Sequence, residues 1–421
     1  MQTLIRAIGV FTAIGTLATS VLAVSLPACQ LTAPTQQNIT SHVITAKTVL
    51  PENNLPFGIV YSTRQPNTAF VALNDSLGVL DTSNLAPRLA HQVSFPSALQ
   101  SELDKIGGVG GSGVALSHDG RYLFVTAFSP GLLVLDTARA AVGRNDSFVA
   151  LLNGTAAAGN TAIEVTISPD DRYAYVSQEN GIETVNLVNG TYKYASQPGR
   201  VETFALYPPR KGCEEWEGYT GRSLGFYVLG VAVVGTALSP DGMLLYATSE
   251  NKTTGDYEGS LSVLCTRKLK MNATDALVAE VDAGCSPVRT LVSPNGEVVW
   301  VTARSSNALL AFNASEILTN GNASLIASIS VGTQPVGLAF VKNGGRVVTA
   351  NSDRSTDPNA VTGLSVVDVQ AALAGKAYAN LGQVDTGAFP RELAVSGDGK
   401  TLLVSDYSAA SIQAVDVGSL P

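Results

Sequence analysis

Short apolar stretches alternate with polar turns along nearly the whole chain after residue 42. In the segment 238–251, LSPDGMLLYATSEN, a Ser-Pro-Asp-Gly sequence separates two apolar stretches. This pattern predicts two short strands joined by a tight turn. Asn295 and Asn343 replace the turn Asp in related segments. We therefore interpret Asp241 as a turn residue and not as a catalytic acid.

The strand-turn-strand pattern recurs along the chain. Further copies begin at Val60 (VYSTRQPNTAFVAL), Leu116 (LSHDGRYLFVTA), Ile167 (ISPDDRYAYVSQ), Val292 (VSPNGEVVWVTA), Phe340 (FVKNGGRVVTAN) and Val395 (VSGDGKTLLVSD). Each copy precedes an alternating stretch that ends in Asp or a substitute, such as LLVLDT or IETVNL. Measured at the residue after the turn Asp or Asn, from Gly120 to Gly399, the intervals are 51, 71, 54, 48 and 55 residues.

Each interval has room for four short strands, so the repeat predicts an all-β, seven-bladed β-propeller with four-stranded blades. The last copy supplies three strands before the chain reaches Pro421. We expect the N-terminal stretch 42–49 (HVITAKTV) to complete the last blade and leave no open edge. The propeller domain is therefore placed at 42–421, after an extension at 24–41. The longest interval is assigned to an insertion at about 206–231, either a loop held by Cys213 or a lid.

The copies resemble the YVTN-type propeller repeat, apolar-S-P-D-G-x-x-L-Y-V-T, and more broadly the seven-bladed lactonase-like family. That family includes 6-phosphogluconolactonases and fungal carboxymuconate-cyclising enzymes. The resemblance implies the propeller fold but leaves catalysis uncertain, because the same blades occur in enzymes and in binding proteins. The chain has three histidines, His42, His91 and His118, and no catalytic histidine of the family is carried over to any of them.

The N-terminus predicts export. Residues 1–23 combine one charge, Arg6, with an apolar run and small residues before a cleavage point, which is typical of a signal peptide. Cleavage as late as residue 28 and an uncleaved anchor are the alternatives. We expect a secreted, extracellular glycoprotein, because N-x-Ser/Thr acceptors occur at Asn38, Asn74, Asn145, Asn153, Asn189, Asn251, Asn272, Asn313 and Asn322.

Composition narrows the function classes further. A formal net charge of −8 disfavours a nucleic-acid surface and an anionic membrane, and we expect a monomer. The four cysteines allow up to two disulfides in an oxidising compartment. Cys213–Cys285 is the preferred pair, and Cys265–Cys285 is the least favoured. No Cys-x-x-Cys pair supports a zinc site, so we expect neither a metal nor a cofactor.

The repeat register singles out one ring of residues around the channel. This axial ring is the set of residues four positions before each turn serine or its equivalent: Gly58, Gly113, Glu164, Gly235, Arg289, Gly337 and Glu392. Glycine suits close packing around the axis, so the three charged members, with Arg391 adjacent, are exceptions. They form either a structural ion-pair network or a ligand site.

A second ring lies where the second strand of each blade ends. This strand-end ring contains Asn74, Phe128, Glu179, Glu250, Arg304, Asn351 and Tyr407, with Asp406 beside it. It suits either a polar ligand pocket or a solvated rim.

Two functions follow from these rings. The first is a secreted propeller that binds a small molecule, a glycan or a protein at the channel mouth, on the face opposite the Ser-Pro-Asp-Gly turns. Its expected ligand-binding residues are Glu164, Glu179, Arg289, Arg304, Arg391, Glu392, Asp406 and Tyr407. The alternative is a lactonase-like hydrolase or isomerase, in which Arg289 stabilises negative charge and Glu164 or Glu392 is the general base.

Overall fold

Seven four-stranded antiparallel sheets make up the structure, which is a computed structural model. It describes residues 24–30, 32–52, 54–96, 112–127, 131–155, 161–179, 182–188, 191–196, 198–209, 218–253, 257–353 and 357–421. This confirms the predicted all-β, seven-bladed propeller. Some sequence predictions fall outside the described residues or their described side chains: the signal peptide 1–23, Phe128, Asn189, Cys213 and Asn322.

The first four blades follow one another along the chain. Blade one contains β2 (Ile59–Tyr61), β3 (Thr68–Ala72), β4 (Ser76–Asp81) and β5 (Arg88–Ser94). Blade two contains β6 (Val114–Leu116), β7 (Tyr122–Ala127), β8 (Gly131–Asp136) and β9 (Phe148–Asn153). Blade three contains β10 (Ala162–Ile167), β11 (Tyr173–Gln178), β14 (Arg200–Tyr207) and β15 (Thr220–Val228). Blade four contains β16 (Val231–Leu238), β17 (Leu244–Asn251), β18 (Glu258–Cys265) and β19 (Leu277–Cys285).

The remaining blades close the circle. Blade five contains β20 (Pro287–Val292), β21 (Val298–Ala303), β22 (Ala308–Asn313) and β23 (Leu325–Ser330). Blade six contains β24 (Pro335–Val341), β25 (Arg346–Asn351), β26 (Gly363–Asp368) and β27 (Asn380–Val384). Blade seven contains β28 (Pro390–Val395), β29 (Thr401–Asp406), β30 (Ser411–Asp416) and the N-terminal β1 (Thr45–Val49). Because β1 pairs with β30, with Thr45 opposite Val415, the predicted closure by an N-terminal strand is confirmed.

The extra residues of the longest repeat interval form a separate hairpin, β12 (Ile182–Val188) with β13 (Thr191–Ser196). It lies between the second and third strands of blade three. The segment 206–231 holds the end of β14, all of β15 and the start of β16, and its residues 210–217 lie outside the described ranges. The segment IETVNL has the alternation of a third strand, but RVETFALY, which is almost entirely buried, pairs with β11.

The Ser-Pro-Asp-Gly turn is held by its own side chains. The Oγ of Ser239 accepts the N–H of Leu244 at 3.0 Å and donates to Asp241 Oδ1 at 2.5 Å. Asp241 also accepts the N–H of Met243, and these hydrogen bonds keep its pKa below the usual range. Gly242 has a positive φ of 67°, which explains glycine at this place. These contacts support the interpretation of Asp241 as a turn residue.

A row of buried hydroxyls on the second strand of the blades joins neighbouring blades. Thr126, Thr248 and Thr302 donate to the carbonyls of Ile163, Val288 and Val336 in the next blade, at 3.1, 2.6 and 2.8 Å. In blades two, four and five, the threonine before the end of the second strand is therefore an inter-blade connector. Apolar side chains of adjacent blades fill the space around these contacts, for example Val263 of blade four against Val301 of blade five.

In four blades, the residue that ends the third strand precedes a short helix. The helices are α1 (Thr137–Ala141), α2 (Thr266–Met271), α3 (Ala314–Thr319) and α4 (Val369–Leu373). One-turn 3₁₀ segments lie at Thr40–His42, Asn145–Ser147, Ala273–Asp275, Arg304–Ser306, Gly321–Ala323, Lys342–Gly344 and Val417–Ser419. Asp136, Asn313 and Asp368 accept backbone N–H groups of the first turn of α1, α3 and α4. At the matching place before α2, Cys265 makes no side-chain cap.

The N-terminal extension lies against blades five and six before it enters blade seven. The backbone of Gln30 bonds to Ser305 at 2.8 Å, and Asn38 forms a bridge with Gln383. Cys29 forms a disulfide with Cys285, with Cα atoms 5.5 Å apart. The expected Cys213–Cys285 pair is therefore wrong, because the extension brings Cys29 to Cys285. Cys265 is a free, partly exposed thiol.

Candidate functional site

A cavity of about 240 Å³ lies on the propeller axis and is lined by residues of the innermost strands or directly before them. All seven blades contribute, and the lining residues are Gly58, Ile59, Gly113, Val114, Glu164, Thr236, Ala237, Arg289, Thr290, Leu291, Leu338, Glu392 and Leu393. Each lining residue belongs to the axial ring or follows it by one or two positions. The three charged members of the axial ring therefore share one cavity.

The cavity lies on the side of the Ser-Pro-Asp-Gly turns. Every innermost strand runs from the axial ring towards its turn, and residues such as Leu291 and Leu393 on that side are partly exposed. One position before the axial ring, the side chains of four blades form a buried apolar cluster that closes the channel: Ile163, Val234, Val288 and Val336. The expected ligand mouth on the opposite face is thus wrong for this cavity, because bulky side chains block the channel there.

Close backbone packing sets the width of the channel at the glycines of the axial ring. A Cβ on Gly113 would lie 2.4 Å from the carbonyl oxygen of Ile163, and one on Gly337 would lie 2.1 Å from that of Arg391. Such distances exclude any larger residue without a backbone shift. Charged side chains occur only at blades three, five and seven, and the four glycines bring the other strands close to the axis.

The motif hydroxyls also fix the backbone of the charged residues. Ser177 accepts the N–H of Glu164, Thr302 that of Arg289, and Ser405 that of Glu392, each at 3.0 Å. These three charged residues therefore start from equivalent backbone positions around the axis. Their side chains converge because the repeat places them in the same register.

Arg289 and Glu392 form a buried ion pair. The Nε and Nη2 of Arg289 donate to Glu392 Oε1 at 3.0 and 2.6 Å, and Nη1 donates to the carbonyl of Val234. Arg289 is only 4% exposed. Burial opposes its charge, but Glu392 and Glu164 outweigh that effect and raise the pKa of Arg289. The guanidinium is thus a fixed, neutralised element of the cavity floor.

Glu164 is the second carboxylate of the cavity and is held differently. Its Oε2 accepts the backbone N–H of Thr236 at 2.7 Å. Among the described residues, no ion pair within 4 Å involves Glu164. Burial raises the pKa of Glu164 to about 7, Arg289 opposes this change, and Glu392 adds to it. Near neutral pH the site can therefore take up or release a proton.

Two uncharged residues that line the cavity, Thr236 and Thr290, are missed when only charged residues are considered. Thr236 supplies the N–H group that orients Glu164, and Thr290 lines the wall one position after Arg289. Thr290 is 6% exposed, and its Oγ1 has no hydrogen-bond partner within the described part of the chain. Both threonines follow the axial ring by one residue, so the repeat register could have identified them.

The described members of the strand-end ring lie on the other side of the buried cluster of Ile163, Val234, Val288 and Val336, and none of them lines the axial cavity. Arg304 makes a bidentate pair with Glu250, at 2.9 and 2.6 Å, that joins blades four and five. Both side chains are largely buried. Asn351 is buried and donates to Ser365 Oγ at 2.9 Å. Glu179 is partly exposed at the end of β11.

Arg391, Tyr407 and Asp406 form a separate cluster at the junction of blades seven and one. The guanidinium of Arg391 lies 4.1 Å from the ring centre of Phe57 and 5.3 Å from that of Phe389. Tyr407 packs edge-on against both rings. Asp406 is fully buried, and burial raises its pKa to about 6. Of the eight expected binding residues, the cavity therefore unites only Glu164, Arg289 and Glu392.

The described residues contain no group of three or more His, Cys, Asp or Glu side chains placed to hold a metal ion. Within those same ranges, every helix is too short or too polar to cross a bilayer.

Comparison with known proteins shows the fold. No protein-family model matches the chain, and no curated protein matches its sequence. Among solved structures, hydrazine synthase from Kuenenia stuttgartiensis is similar, with a TM-score of 0.61 and 15% sequence identity. The match covers 87% of this chain and 97% of that chain. At this identity the similarity shows a shared propeller fold and carries no function over.

Proposed function

We propose that this protein is a secreted, glycosylated β-propeller that binds a small molecule in the axial cavity. The disulfide between Cys29 and Cys285 is compatible with an oxidising compartment. The sequons at Asn145, Asn153 and Asn272 have exposed side chains, as glycan acceptors require. These features support secretion, and the cavity supports the binding function.

The observation that carries the binding function is the placement of Glu164. Its carboxylate lies in a cavity with aliphatic walls, next to a charge pair that is already neutralised. Glu164 is partly buried and has no ion-pair partner within 4 Å among the described residues, which is costly for a carboxylate, and perturbed ionisable groups in clefts are typical of binding sites. A purely structural ion-pair network would need Glu392 and Arg289 but not this third group.

A fragment screen tests the proposal. Cationic, neutral and anionic fragments of about ten non-hydrogen atoms or fewer are screened by ligand-observed NMR against the wild type and Ala237→Leu. Ala237 lines the cavity and is partly exposed, so a leucine there would fill the space. Ala46→Leu, at a partly exposed position of the outermost strand β1, is the matched control. We expect hits that Ala237→Leu abolishes and Ala46→Leu retains. If every hit survives in Ala237→Leu, the cavity is not the binding site.

One observation favours the lactonase-like alternative. A carboxyl with a pKa of about 7 is suited to act as a general base near neutral pH. The structure gives less support to Arg289 as an oxyanion donor, because three of its nitrogens already donate to Glu392 and Val234. Hydrolysis of a lactone panel by the wild type, lost in Glu164→Gln, would establish this function. Equal rates in both proteins would remove Glu164 from any mechanism.

A further inference from the structure

The charge balance of the cavity disfavours an anionic ligand. Among the described residues that line the cavity, three carry a charge: Glu164, Arg289 and Glu392. Three of the five N–H groups of Arg289 donate to Glu392 and Val234, and its charge is paired with Glu392, so an anion would have to compete with a buried carboxylate for this cation. Breaking such a pair leaves an uncompensated charge and is strongly unfavourable. With Glu164 ionised, the three residues sum to one negative charge.

Glu164 offers the negative charge that remains. Thr236 satisfies one carboxylate oxygen through a neutral backbone N–H. Arg289 forms its ion pair with Glu392, and no described cation lies within 4 Å of Glu164. A hydrogen bond from a charged donor would compensate this carboxylate better than a neutral donor. The site therefore has a place for one positive charge.

The walls define the rest of the ligand. Ile59, Val114, Leu291, Leu338 and Leu393 surround the charged floor with aliphatic surface. A cavity of about 150 Å³ holds benzene, so the volume of about 240 Å³ has room for about ten non-hydrogen atoms.

We propose, on the basis of the binding function stated above, that the occupant of the axial cavity is a small organic ammonium ion. Its N–H groups donate to Glu164, and its hydrocarbon part contacts the aliphatic walls. Binding requires an ionised Glu164, which faces Arg289 from β20 and Glu392 from β28.

Calorimetry with three probes of one shape tests the charge requirement. Cyclohexylamine, cyclohexanol and cyclohexanecarboxylate are titrated into the protein at mildly alkaline pH. We expect the amine to bind at least about tenfold more tightly than the alcohol, since hydrogen bonds to charged groups are the stronger ones. Glu164→Gln keeps an acceptor for Thr236 and should weaken amine binding by about tenfold or more. Glu179→Gln, on the opposite face, is the control and should not change it.

The pH profile gives a second readout. Because the pKa of Glu164 is raised to about 7, amine affinity should increase with pH through this value and then level off. Glu164→Gln should lose this dependence. Equal or tighter binding of the alcohol or the carboxylate overturns the ammonium proposal, as does absence of amine binding. The cavity proposal itself falls only if no fragment of any charge depends on Ala237, so the two failures can be told apart.

Discussion

Replacing Thr248 by valine tests whether the motif hydroxyls hold neighbouring blades together. Thr248 is fully buried, and its Oγ1 donates to the carbonyl of Val288 at 2.6 Å, across the boundary between blades four and five. Valine keeps the shape but removes this donor from a buried carbonyl. An orphaned buried acceptor costs about 1–3 kcal/mol. Thr248→Val should therefore lower the free energy of unfolding by this amount.

Thr203 provides the matched control within the same fold. It is equally buried, yet its Oγ1 has no hydrogen-bond partner among the described residues. Thr203→Val should leave the free energy of unfolding unchanged or raise it by about 1 kcal/mol, because an unsatisfied hydroxyl is removed. Urea unfolding followed by circular dichroism compares the variants at equal m-values. If Thr248→Val is no less stable than Thr203→Val, the inter-blade hydrogen bond does not stabilise the propeller.

Three further predictions concern stability. Cys265→Asp should raise the free energy of unfolding by about 0.5–2 kcal/mol in urea, because the backbone before α2 matches the capped helices but lacks a side-chain acceptor; no gain would contradict the capping account. Cys29→Ser should lower it by about 5 kcal/mol, the chain-entropy value for a disulfide that spans 256 residues; an unchanged urea midpoint would exclude this contribution. The free energy of unfolding should fall as pH rises from about 4 to about 7, because Glu164 and Asp406 have raised pKa values and the native state holds more protons in that window. Glu164→Gln with Asp406→Asn should flatten this slope, and an unchanged slope would assign it to other groups.

The repeat made much of the fold predictable, because turn chemistry and alternation are local properties. Ser239, Asp241 and Gly242 form their turn through contacts within a few residues, and each copy repeats this signal. Counting back from the turn serine also identified Glu164 and Arg289 as neighbours on the axis, since equivalent positions of a closed propeller face one channel.

The parts that the sequence did not reveal depend on contacts outside the repeat. The open side of the channel is decided by the size of residues such as Ile163 and Val336, which pack only after the blades close. Cys29 lies in the N-terminal extension, which is not part of the repeat, so counting positions within the repeat could not predict that Cys29 lies next to Cys285. Strand β12 of the hairpin has the alternation of a third strand, and only the pairing with β11 identifies β14 as the third strand of the blade.

The most direct test of the account is a crystal structure of the protein soaked with cyclohexylamine at mildly alkaline pH. The account predicts that the amine occupies the axial cavity, with its nitrogen within hydrogen-bond distance, about 3 Å, of the Glu164 carboxylate. The Arg289–Glu392 pair should remain intact beside it. An amine bound on another surface with the cavity empty, or an amine that displaces Arg289 from Glu392, would contradict the central claim.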